Sequence, residues 1–406
     1  MGACPQEGGA SNAGGKGSGM RVAVVGGRLQ GVEASYLAHK AGWEVRLLDR
    51  QSESPALSIC DQFVQTDVMN PESFRKAVRG VDFILPALED GEALEIMTRE
   101  ASKLGVPIAV DLDAYRISSS KLRSNRLFSE IGVPKPRPWP QCGFPVVAKP
   151  NDASGSRGVR VFRSSREMAG GENSAFSNGS WVLQEFVGGP LFSLEVMGFE
   201  GNYFPLQITD LFMDAGYDCK RVSAPTTLSP EIAGAFEKIS EDIGRALELK
   251  GIMDVEVVLQ GKELKVLEID ARLPSQTPTA VFWSTGLNMV EMLARIFVSK
   301  DFRMPQIESR AGVVFQHIAV SPKVLEVSGE HIMGCFGPLH VVTDFFGADE
   351  AITSYDGRGE QWVATLIVRE DDRSSAEKKM ESVVTAVASH FKVPTVRDAG
   401  INQGDG

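Results

Sequence analysis

The sequence predicts an α/β (α+β) protein in which a parallel-sheet domain built on a glycine turn precedes a longer, β-rich region. Short apolar runs alternate with helical periodicity from Arg21 to Val110, and the first run feeds a Gly-rich turn that opens a helix. From Pro145 onward the runs are strand-like and separated by turn residues. The chain has 406 residues, 43% apolar and 23% charged, which suits two or three packed domains and excludes disordered, collagen-like and mucin-like chains.

Residues 1–19 are rich in glycine and almost free of large apolar side chains, so they are expected to be a disordered leader or tag. Val22–Val25 reads as a strand, Gly26–Gly31 as a glycine turn, Val32–Lys40 as a helix closed by Gly42, and Trp43–Leu48 as a strand ending in Asp49. Further strands are predicted at Gln62–Thr66, Phe83–Pro86 and Ile108–Val110, giving a first domain at 20–111. A helix at Lys121–Ile131 leads into an extended segment carrying Pro134, Pro136, Pro138 and Pro140. Strands follow at Pro145–Lys149, Val159–Phe162, Trp181–Phe186 and Phe192–Gly198, which divide into a central unit at 112–187 and a C-terminal unit at 188–395. A helix near 231–248 precedes a hairpin, Met253–Leu259 with Leu264–Ile269, turning near Gly261. After Asn288 come a helix, β-like segments to about 370, a last helix at 373–391 and a frayed tail at 403–406.

Lys plus Arg number 42 and Asp plus Glu 53, a net charge of −11. Phosphate backbones and anionic membranes repel such a chain, so no nucleic-acid or membrane partner is expected. No run approaches the length of a membrane span. The five cysteines, Cys4, Cys60, Cys142, Cys219 and Cys335, are widely spaced with no CxxC, which argues against a disulfide framework or a zinc site and for a cytoplasmic setting.

Three constellations carry chemistry. Glu256 lies on one strand of the hairpin and Glu268 and Asp270 on the other, so antiparallel pairing can bring all three to one face. Two such charges about 4 Å apart repel by about 4 kcal/mol at an effective dielectric near 20. A hard divalent cation holding a nucleotide's phosphates would offset that repulsion, whereas a solvated strand face would need no ligand. Lys149 ends an apolar strand and precedes a Ser/Gly loop, Ser154–Gly158, whose N–H groups could cover phosphates; a surface lysine beside a plain turn is the other reading. Gln184-Glu185-Phe186-Val187 runs into Gly188-Gly189 as a strand entering a hinge, with Ser193 and Glu195 beyond.

These motifs occur in the order and spacing of the ATP-grasp superfamily, which the chain resembles over nearly all of residues 20–300. Gly26–Gly31 resembles its Rossmann-like pre-ATP-grasp domain, to be followed by the ATP-grasp domains. More narrowly, Gly-Gly-Arg-Leu-Gln-Gly (26–31), Asp-Ala-Tyr-Arg-Ile-Ser (113–118), Lys-Gly-Ile-Met-Asp-Val-Glu (250–256) and Glu-Ile-Asp-Ala-Arg-Leu-Pro-Ser-Gln-Thr-Pro-Thr (268–279) are similar to the ligase family of pyrrolysine biosynthesis. Arg28 stands where that family is expected to carry Lys, keeping the charge but not its shape.

The resemblance implies an ATP-dependent ligase that joins 3-methyl-D-ornithine, or D-ornithine, to the ε-amine of L-lysine through an acyl phosphate. It implies two or more Mg²⁺ ions on Glu256, Glu268 and Asp270, and catalytic roles for Arg272 and Lys149. ATP would meet Arg28, Asp49, Asp67, Val68, Lys121, Lys149, Ser154, Gln184, Glu185, Phe186 and Val187. The lysine would meet Leu29, Gln30 and Glu89. The ornithine would meet Phe192, Ser193, Glu195, Arg272, Ser275, Gln276 and Thr277. The superfamily often forms homodimers. Competing expectations are another ATP-grasp amide ligase or carboxylase, a non-catalytic ATP-grasp binder, or a nicotinamide-dependent oxidoreductase; the last is weakened because position 28 is Arg and breaks GxGxxG.

Overall fold

A computed structural model of the chain describes residues 19–153, 155–169, 176, 179–307, 310–398 and 400. The expected leader up to residue 18, Ser154 and the expected frayed tail at 403–406 lie outside the described residues.

The first sheet takes its strands from β1 (Arg21–Val25), β2 (Glu44–Asp49), β3 (Gln62–Gln65) and β4 (Phe83–Pro86), with α1 (Leu29–Lys40), α2 (Pro71–Ala77) and α3 (Gly91–Leu104) between and after them. The order is β3-β2-β1-β4 and the pairs are parallel. Because the strands all run the same way, every loop after a strand gathers at one edge of the sheet. Helix α1 begins at Leu29, so part of the expected glycine turn is its first helical turn. Gly26 holds φ at +105°, and a Cβ on Gly31 would sit 2.0 Å from the Gly26 carbonyl oxygen, so both positions need glycine. The expected strand at Ile108–Val110 reduces to one parallel bridge between Ile108 and Ile84, because the segment leaves the sheet edge after a single pairing.

Helices α4 (Leu112–Ser118) and α5 (Lys121–Ile131) connect to a sheet of β5 (Val146–Pro150), β6 (Arg160–Phe162) and β7 (Trp181–Glu185), with α6 (Ser165–Ala169) between the last two and strand order β6-β5-β7. Ser120 caps α5 through Arg123 N–H, and Gly132 ends it in the left-handed conformation.

The remaining strands form one sheet, 12-stranded among the described residues. In chain order its elements are β8 (Leu191–Phe199), β9 (Asn202–Pro205), β10 (Thr209–Met213), β11 (Cys219–Ala224), α7 (Pro230–Ala246), β12 (Gly251–Gln260), β13 (Glu263–Asp270), α8 (Thr277–Thr285), α9 (Met289–Ala294), β14 (Gly312–Val320), β15 (Leu325–Val327), β16 (His340–Phe345), β17 (Ala348–Thr353), β18 (Trp362–Glu370), α10 (Arg373–His390) and β19 (Val396–Asp398). Strands β9 to β11 were not expected from the sequence; they are short and mixed in polarity, and pairing with β8 and β14 orders them. The β12–β13 hairpin turns at Gly261 with φ +63°, as expected.

One apolar core runs from Val22, Leu37 and Leu47 of the first domain to Val281, Met289 and Leu293 of α8 and α9. Helix α1 is therefore packed on both the first sheet and the C-terminal unit, and it bridges them. Among the described residues no single helix is long and apolar enough to cross a membrane.

Candidate active site

Strand alternation and register build the centre of the site. Asp254 pairs with Asp270 and Glu256 with Glu268 across β12–β13, while Glu195 pairs with Asp254 and Ser193 with Glu256 across β8–β12. Successive side chains point to opposite faces, so these six residues form two rows on one face of the sheet. Ser193 Oγ donates to Asp254 Oδ1 at 2.5 Å. Phe192 is one residue out of step: it is 2% exposed and packs in the core, so its side chain is not placed among the expected substrate contacts.

Burial opposes the ionisation of this cluster. It pushes Glu256 up to about 8, helped by Asp254 and Glu268. It pushes Asp270 up to about 7 against the opposing pull of Arg272. Glu195 rises to about 7 for the same reason, and Asp254 is raised as well, with Glu195 adding to the burial. Buried carboxyls this close together make an oxygen donor set suited to a hard divalent ion, whose charge would offset both their burial and their mutual repulsion.

Cations approach from two sides. Lys121 Nζ donates to Glu268 Oε1 and to the Ala153 carbonyl, each at 2.7 Å. Half-buried Lys149 has its ammonium held below its ordinary value by desolvation, opposed by Glu268 and Glu256. On the far side Arg272 pairs with Asp270 Oδ2 at 2.7 Å and contacts Glu89. Asp49 ends β2, and Glu89, Arg28, Asp67 and Val68 follow the ends of the other parallel strands, so one sheet edge collects them. Glu89 alone of these reaches Arg272; Arg28 is exposed, Asp49 accepts from Gly27 N–H at 2.7 Å, and Asp67 accepts from Met69 N–H at 3.0 Å. Arg28, Asp49, Asp67 and Val68 line neither of the cavities described next.

A cleft of about 540 Å³ opens between the three-stranded sheet and the large sheet, lined by Lys121, Lys149, Gln184, Glu185, Phe186, Val187, Glu256 and Glu268. The side chain of Glu185 is engaged by Arg137 and Lys265, each at 3.2 Å, and they hold its carboxyl down to about 2 in spite of its burial. A second cavity of about 150 Å³ is lined by Asp254, Glu256, Glu268, Asp270, Arg272, Ser275, Gln276 and Thr277, together with Asp218 and Glu330. Glu256 and Glu268 line both, so the two spaces meet at the carboxylates. Around the smaller one Glu195 Oε2, Gln276 Oε1 and Arg272 Nε are buried without a hydrogen-bond partner. Leu29 and Gln30 are half-buried at the start of α1, with Gln30 Nε2 donating to the Leu273 carbonyl at 3.3 Å.

Sequence reasoning missed Asp254, Asp218 and Glu330. Asp254 carried a signal, since it precedes Glu256 by the same two-residue step that links Glu268 and Asp270. Asp218 and Glu330 lie far away in the chain and carried none.

The family profile described as an ATP-grasp domain matches residues 118–276. The 3-methyl-D-ornithine--L-lysine ligase of Methanosarcina barkeri is 34% identical over 374 residues, covering 91% of this chain and 98% of that protein. The corresponding ligase of Methanosarcina mazei is 33% identical, covering 91% and 96%. Among solved structures, a biotin carboxylase–β,γ-ATP complex from Campylobacter jejuni superposes with a TM-score of 0.69 at 15% identity, covering 92% of this chain and 95% of that one. A phosphoribosylglycinamide synthetase from Anaerococcus prevotii superposes with a TM-score of 0.66 at 14% identity, covering 91% and 98%. At such identities the structures speak for the fold alone.

Proposed function

The chain belongs to the ATP-grasp family, among the 3-methyl-D-ornithine--L-lysine ligases, and on that premise we propose that it is an ATP-dependent ligase joining a D-ornithine-type diamino acid to the ε-amine of L-lysine. The observation that carries this reading is the meeting of two cavities at Glu256 and Glu268, with Lys149 and Lys121 on the larger side and Arg272 on the smaller.

The nucleotide is assigned to the 540 Å³ cleft, its base against Gln184–Val187 and its phosphates toward Lys149 and Lys121. Glu256, Glu268 and Asp270 would hold Mg²⁺, two ions or more, which would neutralise the phosphate oxygens there. The diamino acid is assigned to the 150 Å³ cavity, against Arg272 and the Ser275–Thr277 turn. Ser193 and Glu195 are buried in the same rows of the sheet as Asp254 and Glu256 and would act on it through Asp254. Its α-carboxylate oxygen attacks the terminal phosphorus of ATP and ADP leaves. The lysine ε-amine then attacks the acyl carbon, phosphate leaves, the amine gives up a proton and the amide remains. Arg272 offsets charge on the carboxylate and then on the acyl phosphate, while Leu29, Gln30 and Glu89 at the sheet edge receive the lysine.

The lining of the smaller cavity supports this reading over a carboxylase. Asp218, Asp254, Asp270 and Glu330 supply acceptor oxygens for the two amino groups of a diamino acid, and Arg272 supplies the guanidinium for its carboxylate. The purified protein, given ATP, Mg²⁺, D-ornithine and L-lysine, is expected to release ADP and phosphate and to form one amide, read by mass spectrometry. Release of AMP and pyrophosphate would contradict the acyl-phosphate route.

A further inference from the structure

Glu33 lies on the buried face of α1, is 3% exposed, and forms no ion pair with a Lys or Arg among the described residues. Burying a carboxylate without a counter-charge is unfavourable, and burial pushes this one up to about 7. What it meets is the start of α8: Glu33 Oε1 accepts from the Thr279 N–H at 2.6 Å, and the Thr279 side chain and the Gln276 backbone also favour its charged form, against burial and the nearby Glu330. Thr279 is the third residue of α8, and its N–H is one that an N-cap side chain ordinarily satisfies. Gln276, at the N-cap of α8, makes no such bond. Helix α8 is therefore capped from outside its own segment, by a residue 246 positions earlier in the chain.

The segment that this cap secures is strained. Gln276 has φ 72° and ψ −59°, and Thr277 N–H donates to the Ser275 carbonyl at 2.9 Å. That is a γ-turn of the rarer, positive-φ kind, a shape that persists only where its surroundings impose it. The same turn lines the cavity assigned to the diamino acid. Glu33 lies one helical turn from Gln30, which stands where L-lysine is assigned and donates to the Leu273 carbonyl. Helix α1 is itself fixed farther along, where Asn288 Nδ2 donates to the Leu37 carbonyl at 2.8 Å and Tyr36 Oη to Glu350 at 2.6 Å. A rigid helix thus presents one carboxylate to the first turn of α8.

We propose that Glu33 is a positioning residue: by capping α8 from α1 it holds the Ser275–Thr277 turn in its binding shape and makes the two amino-acid subsites assemble together. The proposal rests on the assignment of the smaller cavity to the diamino acid.

Two nearly isosteric substitutions test it. Glu33→Met keeps the volume and removes the acceptor; Glu33→Gln keeps an acceptor oxygen and removes the charge. E33M is expected to raise KM for D-ornithine and L-lysine roughly five- to tenfold, the worth of one lost cap, with kcat and the KM for ATP within about twofold. E33Q is expected to stay within about twofold of the parent protein in every constant. Hydrogen exchange at the Thr279 amide is expected to quicken in E33M and not in E33Q, a readout that needs no turnover. Amino-acid KM values unchanged in E33M, an equal rise in the KM for ATP, unchanged exchange at Thr279, or an E33M protein that fails to fold while E33Q folds would each overturn the proposal. If the parent protein joins no amino acids, the ligase reading falls by itself, and exchange at Thr279 still decides the role of Glu33.

Discussion

Glu256 and Glu268 face each other across an antiparallel pair with Asp254 and Asp270 in the next row, and burial, helped by the neighbouring acids, makes Glu256 reluctant to ionise. Such a cluster destabilises the fold in exchange for a site. Replacing Glu268 by Gln is expected to lower turnover at least about 100-fold, as loss of a group acting on developing charge does. The melting temperature should change little, because relief of the repulsion from Glu256 and Asp270 offsets loss of the Lys121 ion pair. ADP release and thermal melting check the two halves, and an active E268Q would take these acids out of the chemistry. At this scale much was legible in the sequence. The step of two from Glu268 to Asp270 and the hairpin turn at Gly261 put three acids on one face, and the same rule applied to Asp254. The alternation that gathers Ser193 and Glu195 sends Phe192 into the core, so a contiguous run was the wrong unit for choosing pocket side chains. Glu33 and Glu330 had no local signature, since a single Glu on a helix or loop reads as a solvated one.

Helix α1 shows what one element does for the site. Its first turn follows the glycine turn, its buried face carries Glu33 and Tyr36, and the α8–α9 region packs against it. Tyr36 Oη donates to Glu350 and accepts from Trp283 Nε1 at 2.8 Å, while Lys40 pairs with the same Glu350 at 2.5 Å. Tyr36→Phe leaves Trp283 without its acceptor and Glu350 without one donor, so a loss of about 1–3 kcal/mol in urea unfolding is expected. On β14, His317 is 2% exposed, bonded through Nδ1 to Thr365 Oγ1 at 2.8 Å, and burial lowers its value to about 3. An unfolded chain takes up that proton near the ordinary 6.5 and the folded one does not. The stability from neutral His317 is therefore complete above that value and drains away as pH falls toward the folded one. His317→Gln should flatten the decline in melting temperature from the ordinary value down to about pH 5, before most carboxylates titrate. Long periodic elements such as α7 and α10 were readable near their true bounds. Strands β9 to β11 were not, because short strands of mixed polarity become strands only when neighbours supply the ladder.

For the molecule as a whole, the three sheets matter through the spaces between them. The larger cleft needs the small sheet on one side and the large sheet on the other, and the smaller cavity adds the β13–α8 loop and Glu330. Ligands that bind such a cleft stabilise the assembled state by mass action. MgADP at a hundredfold excess over its Kd is expected to add about 2.7 kcal/mol. EDTA should abolish most of that gain together with turnover, and added Mg²⁺ should restore both. A nucleotide shift indifferent to EDTA would show that the carboxylates hold no ion that the nucleotide needs. What the sequence by itself determined is what local spacing controls: the parallel first sheet, the hairpin, the acids on its inner face, and the motif order shared with a ligase family. Tertiary structure alone decided which distant groups meet them. Glu89 contacts Arg272, Glu330 closes the smaller cavity, and Glu33 caps α8, because the first domain and the C-terminal unit pack on one shared core. Side-chain alternation is a property of a few neighbouring residues, whereas contact across 246 positions depends on how packed layers exclude water from a shared core.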